Sequence, residues 1–338
     1  MIVPPARVEL ALAPTPLLKL DRLSRRLGVE LYVKRDDLTG LLESGNKVRK
    51  LEFLVGEALQ QGADTLVTRG TPDSNGCRAV AAVAARLGLR AVLAIQGERP
   101  AADDGNLLLA RLLGAETRYH PDRGPDLRPD LGPALADAAM EALAAEVRAR
   151  GGRPYVIPES GAGELGALGY IECAVELSEQ IHHGAPRFDT IVITAGSGGS
   201  HAGLLMGKQL AGLPGEIVSV PVTASAEEVR GAIVRTVSAA IQRFGFAIEV
   251  PKAIHLLDGY QGAGPASDEE LGLIVNLARE EGLLLDPVYT ARGFRGLVET
   301  LMRDPKALGQ RVCFIHTGGL FSLFPFRDRL SQLLERDT

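Results

Sequence analysis

Cysteine is scarce in this chain. Cys77, Cys173 and Cys313 are the whole complement, odd in number and widely spaced. Without a C-x-x-C pair they supply neither a zinc site nor a dithiol redox motif, so reduced cysteines and no bound metal are expected. Long apolar runs are missing as well, since nothing approaches the ~18 residues of a membrane span. The opening stretch MIVPPARVELALAPTPLL lacks the basic region and small-residue cleavage site of a secretion signal. A cytoplasmic location without a membrane partner is therefore expected. The net charge is −5 with no stripe of Lys and Arg, which leaves no electrostatic footprint for nucleic acid. Internal repeats and low-complexity tracts are also absent, and the D-x-R-P-D-L stretch near 121–132 reads as a surface loop.

What is present is an ordinary globular composition, 46% hydrophobic and 23% charged over 338 residues. That length suits two linked lobes with a cleft between them. From residue 62 onward, short apolar runs rich in β-branched residues alternate with stretches of helical period, the pattern of α/β architecture with parallel sheets wrapped by helices. ADTLVTRG, LRAVLAIQ, TRYH and PYVIPES read as four strands, with helices between them, of a compact lobe over residues 61–160. FDTIVITAG, GEIVSVPVTAS, KAIHLLDGY and RVCFIHTGG read as core strands of a larger lobe. Residues 1–60 contain LYVKRDDLTG, so residues 1–60 with 161–338 are expected to form one domain into which 61–160 is inserted. Ser267 opens S-D-E-E before LGLIVNLAREEG, a capping-box helix start.

Five segments carry chemistry. In TIVITAGSGGSHAGLLMG, Gly196, Gly198 and Gly199 follow a buried strand and precede a helix. Backbone N–H groups there can converge on an anion at the positive helix end, with Ser197 and Ser200 adding hydroxyls. The spacing completes neither the Walker loop nor G-x-G-x-x-G. In ESGNKVRKLEFL, Lys47 stands at a helix entrance before the apolar face of Val48, Leu51 and Leu54. Desolvation there lowers an amine's pKa and frees it to bond a carbonyl carbon, although a K-x-x-K lysine is more often a solvated surface group. Lys50 can suppress protonation of Lys47 or add charge near a phosphate. In GTPDSNGC, Ser74 and Asn75 can cap the next helix or present donors to a carboxylate. DGYQGAG and LDPVYTARG place Tyr260 and Tyr289 in turns, as packed anchors or as phenol acids and bases.

Together, in this order, these segments resemble the family of D-cysteine desulfhydrase and 1-aminocyclopropane-1-carboxylate deaminase, from PTPLLKLDRLS to HTGG. The resemblance implies a two-domain, tryptophan-synthase-β-like (fold type II) enzyme of pyridoxal 5'-phosphate, a homodimer acting on a small amino acid. It places the cofactor on Lys47, the substrate carboxylate and ring hydroxyl on Ser74 and Asn75, the phosphate on 196–200, and the two active-site tyrosines at Tyr260 and Tyr289. Thr290 and Thr317 match the desulfhydrases, where the deaminases have Glu and Leu. A threonine supports a neutral pyridine, which favours β-elimination over ring opening. The chain departs from its relatives at Gly76, where they carry His or Gln, at Asp73, and in the loop PESGAGE around Gly161. Gly76, Gly161 and Thr317 are expected to face substrate, with Glu159 and Glu164 available to a cation. D-cysteine is the leading substrate. Deamination of aminocyclopropanecarboxylate, sulfonate elimination from cysteate, β-replacement or racemisation, and plain binding of cofactor or amino acid are the other readings.

Overall fold

The computed structural model describes residues 5–120, 132–262 and 264–336; the 121–132 loop reading lies almost wholly outside them. In chain order the elements are β1 (Leu17–Lys19), α1 (Asp21–Leu27), β2 (Glu30–Lys34), α2 (Asn46–Gln60), β3 (Thr65–Gly70), α3 (Asn75–Leu87), β4 (Arg90–Gln96), α4 (Gly105–Leu112), β5 (Glu116–His120), α5 (Gly132–Ala149), β6 (Pro154–Val156), α6 (Glu164–His182), β7 (Thr190–Ala195), α7 (Gly199–Ala211), β8 (Glu216–Pro221), α8 (Ala226–Phe244), β9 (His255–Leu256), α9 (Asp268–Glu281), α10 (Thr290–Arg303), β10 (Arg311–Ile315) and α11 (Arg327–Arg336).

Two sheets organise the fold. One runs β1-β2-β10-β7-β8-β9, parallel throughout except for β1 against β2. The other runs β5-β4-β3-β6 and is wholly parallel. Parallel strands need helices on both faces, so their sequences read as continuous apolar runs. TIVITA of β7 is accordingly buried at every position, with Val192 in register with Phe314 and Val218. KAIHLLDGY is a partial exception to the expected core strands. It contributes only the two residues of β9, because it lies on the sheet edge with one neighbour to bond.

Helix starts follow local chemistry. Ser267 accepts from Glu270 N–H at 3.2 Å while the Glu270 carboxylate accepts from Ser267 N–H at 2.7 Å, the expected capping box. The three cysteines are free and buried. Among the described residues no helix is long and apolar enough to cross a membrane.

Close packing of α2, α6 and α7 sets the height of the site. A Cβ on Gly169 of α6 would lie 2.3 Å from the Arg49 carbonyl oxygen of α2, and one on Gly203 of α7 would lie 2.3 Å from the Ala167 oxygen of α6. Only glycine lets the backbones approach so closely. Beneath α2 lies a buried ionic cluster. Arg49 holds Asp36 through Nε at 2.9 Å and Nη2 at 2.8 Å, and it contacts Glu176 at 2.9 Å. Lys34 pairs with the same Glu176, and Tyr170 donates to Asp36 at 3.0 Å. Two cations facing two carboxylates leave little uncompensated charge, the condition under which buried ions are tolerated.

Candidate active site

β7 ends at Ala195, and Gly196, Ser197 and Gly198 turn the chain into α7. Gly198 is in the left-handed region, φ 76°, which aims the first amides of α7 out of the turn. Residues 196 to 201 line a cleft of about 550 Å³, its open mouth included. Free N–H groups at a helix start, together with the macrodipole, favour an anion there. His201 also lines the cleft. Its Nδ1 lies 2.7 Å from Ser219 Oγ, and burial pushes its pKa down to about 3, so the ring is neutral.

Two lysines enter from α2. Lys47, on the first turn, lines the cleft, and its amine makes no hydrogen bond among the described residues. Burial lowers its pKa to about 8, partly opposed by the charge of Glu159. Lys50, one turn on, is buried, and its Nζ lies 3.2 Å from where a Cβ on Gly199 would sit. Its hydrogen bond to the Ser160 carbonyl is long, 3.4 Å. Burial and then the neighbouring Lys47 hold its pKa well below the lysine range. Two amines and the positive end of α7 thus share one small space with little to compensate them, so the arrangement calls for an anion of high charge.

Asn75 lines the same cleft. Its Oδ1 accepts from Asn106 Nδ2 at 3.1 Å, and that amide also donates to the Asp73 carbonyl at 2.8 Å. Ser74 is not among the residues lining the cleft; its Oγ caps α3 by accepting from Cys77 N–H at 3.2 Å, and its proton is left for other work. Tyr289 and Thr317 are cleft residues too. Burial, then Asp73, Asp286 and Glu159, raise the Tyr289 phenol above its ordinary pKa, so it keeps its proton. Gly76 and Gly161 line a side compartment that shares Lys47 and Ser160 with the cleft.

Two expected residues are placed elsewhere. The Tyr260 hydroxyl donates to Glu299 at 3.1 Å and accepts from Arg303 at 2.7 Å, both on α10, so it is not among the cleft's lining groups. The Thr290 hydroxyl donates to Asp286 Oδ2 at 2.6 Å and accepts from Asp286 N–H at 2.7 Å. It serves the start of α10 and does not line the cleft, because the helix entrance leaves Asp286 as its nearest polar partner. The two acidic candidates are also engaged: Glu159 pairs with Arg69 and Glu164 with Arg243 at 2.8 Å.

Sequence reasoning passed over Asp286, Thr194, Ser160 and His201, all lining residues. Asp286 had a local signal in D-P-V-Y, because an Asp shortly before a helix can accept its first N–H groups. It accepts from Tyr289 N–H at 2.7 Å and Thr290 N–H at 2.8 Å. Ser160 had none. Its φ of 60° is the one positive value outside glycine among the described residues, a conformation that only the surrounding packing imposes.

A family model described as pyridoxal-phosphate dependent enzyme matches residues 8–318. The chain belongs to that family, and pyridoxal phosphate is its cofactor. Among its relatives, the D-cysteine desulfhydrase of Yersinia enterocolitica is 40% identical over 96% of this chain and 97% of its own length. A Pyrococcus abyssi protein provisionally assigned as 1-aminocyclopropane-1-carboxylate deaminase is 40% identical over 97% and 96%. A solved structure described as an ACC deaminase homologue superposes with a TM-score of 0.86 at 35% identity, covering 98% of this chain and 97% of that one. The cleft fits the cofactor on its own evidence: an anion seat with an uncompensated buried lysine, and a second amine of lowered pKa beside it.

Proposed function

We propose that this protein is a β-eliminating lyase of a small amino acid, with D-cysteine the leading substrate, releasing a 2-oxo acid, ammonia and sulfide. The observation that carries the reading is the pair Lys47 and Tyr289 in one cleft, an amine whose pKa is lowered toward neutrality and a phenol held protonated. Elimination needs both a base at the α carbon and an acid near the leaving group. We read residues 61–160 as an inserted domain that brings Asn75 over the larger domain of 1–60 and 161–338, in a cytoplasmic homodimer.

Pyridoxal phosphate, when bound, supplies an electron sink for the charge left on the α carbon. Lys47 is the residue we assign to hold it covalently. At pH 7 a pKa of about 8 leaves roughly one amine in ten unprotonated, against far fewer than one in a thousand for an ordinary lysine. The amides of Gly198, Gly199 and Ser200, with Lys50, hold the phosphate. Asn75 orients the substrate carboxylate, with the Ser74 proton in support. Lys47, once displaced by substrate, takes the α proton at its Nζ, and Tyr289 protonates the departing sulfur at its hydroxyl. Thr317, a polar residue at the cleft wall, suits a thiol better than a cyclopropane ring.

Aminocyclopropanecarboxylate deamination is the second reading, favoured by the Pyrococcus relative of equal identity. An assay for 2-oxo acid over D- and L-cysteine, cysteate, β-chloroalanine and aminocyclopropanecarboxylate separates the two. Sulfide and pyruvate from D-cysteine are expected at the highest rate. 2-Oxobutyrate from the cyclopropane with inert cysteine would reverse the order.

A further inference from the structure

Gly76 is a glycine that the backbone does not require. It is the second residue of α3, and its φ is not in the positive region. A Cβ built on it would meet nothing nearer than Ser74 Oγ at 3.5 Å and Ser160 Cα at 3.9 Å, which are ordinary contacts. Gly169 and Gly203 differ, since a Cβ on either would stand 2.3 Å from a backbone oxygen. Alanine is also the better helix former. Neither strain nor packing explains the glycine, so its effect lies in the space it leaves.

That space is the side compartment reached past Lys47 and Ser160. Leu51, Val80 and Ile157 make its walls with Thr68. The Thr68 hydroxyl donates to the Ile157 carbonyl at 3.0 Å, so it offers no free proton. The room suffices for one group of water or methyl size. Lys47 and Ser160 line it as well; with the Lys47 amine uncharged while it serves as base, the remaining walls pay nothing back for desolvating a charge and favour an uncharged, apolar group.

We propose that the compartment beside Gly76 receives a neutral group carried beyond the β-leaving atom, which makes S-alkyl cysteines, with S-methylcysteine the smallest, substrates alongside free cysteine and preferred over cysteate. The proposal rests on the elimination reading and specifies its substrate class. S-methylcysteine and water give pyruvate, ammonia and methanethiol. The α C–H bond breaks to the enzyme base, the Cβ–S bond breaks with its electron pair leaving on sulfur, sulfur takes a proton, and the released enamine is hydrolysed.

The test uses the holoenzyme and its Gly76→Ala variant, which the ordinary contacts at that position allow to fold. The ratio of kcat/KM for S-methylcysteine to that for cysteine, in the enantiomer turned over, is expected to fall about tenfold or more in Gly76→Ala, the usual effect of one methyl group in an apolar pocket. Calorimetric titration with the unreactive isosteres norvaline and 2-aminobutyrate provides a readout independent of turnover. Norvaline should bind more tightly, and the variant should lose that preference. Equal effects on both isosteres, or wild-type preference for cysteate, overturn the compartment. Absence of 2-oxo acid from every β-substituted amino acid, with norvaline discrimination intact, overturns the elimination reading and leaves the compartment standing.

Discussion

The Thr317 carbonyl oxygen stands 2.5 Å from the position of a Cβ on Gly45, and it accepts the N–H of Asn46 at 3.0 Å. The loop after β10 thus fixes the residue that opens α2, one turn from Lys50 and next to Lys47. Gly45 has φ 97° and ψ −173°, a region open essentially to glycine. Gly45→Ala should therefore cost more than about 2 kcal/mol of stability through strain and collision together. Urea unfolding measures this, and cofactor occupancy of the folded fraction should fall with it. An unchanged midpoint would mean that the loop yields freely.

Lys47→Ala should abolish the cofactor adduct fixed by borohydride, whereas Lys50→Ala should keep it. Peptide mapping after reduction identifies the attachment. Cofactor recovered on any other lysine contradicts the assignment.

Lys50 should couple phosphate binding to proton uptake. Its pKa is depressed by burial and Lys47, and an adjoining phosphate raises it, so binding takes up about one proton between the two values. Affinity of the apoprotein for pyridoxal phosphate should consequently fall as pH rises above the range in which the phosphate itself becomes dianionic. Calorimetry in two buffers of different ionisation enthalpy reads the uptake directly. Lys50→Met should remove it, and an identical pH slope in the variant would assign the proton elsewhere.

The ionic cluster under α2 should govern acid stability. Burial alone would raise the pKa of Asp36, but Arg49 outweighs it and holds the carboxyl below its ordinary value. Its stabilisation is complete above the unfolded pKa of about 3.9 and is lost as pH falls through the depressed folded value. Asp36→Asn should flatten that acid limb. Arg49→Met, which strands Asp36 while Glu176 keeps Lys34, should cost about 3–5 kcal/mol at neutral pH, and denaturant unfolding decides it.

Thr290→Glu should disable the protein and not convert it. Thr290 is buried against Asp286, and a second carboxylate there would be desolvated beside the first. A loss above about 2 kcal/mol is expected. A stable variant that opens aminocyclopropanecarboxylate would show that the side chain can reach the cleft.

The sequence by itself determined the strand and helix alternation, the glycine turn after β7 and the presence of Lys47, because these depend on periodicity and on local backbone chemistry. Helix caps were legible for the same reason: Ser267 and Glu270 are three residues apart, and Ser74 caps the helix it precedes. Tertiary structure decided which of these groups share a space. Lys50 meets Gly199 only because glycines let α2, α6 and α7 approach closely. Tyr260 and Tyr289 occupy similar turns, yet Glu299 and Arg303 claim the first while the cleft receives the second. Thr290 was read as facing the cofactor, but Asp286 takes its hydroxyl. Residues far apart in the chain compete for the same partners, and that competition is settled by distances that exist only after the sheets have packed.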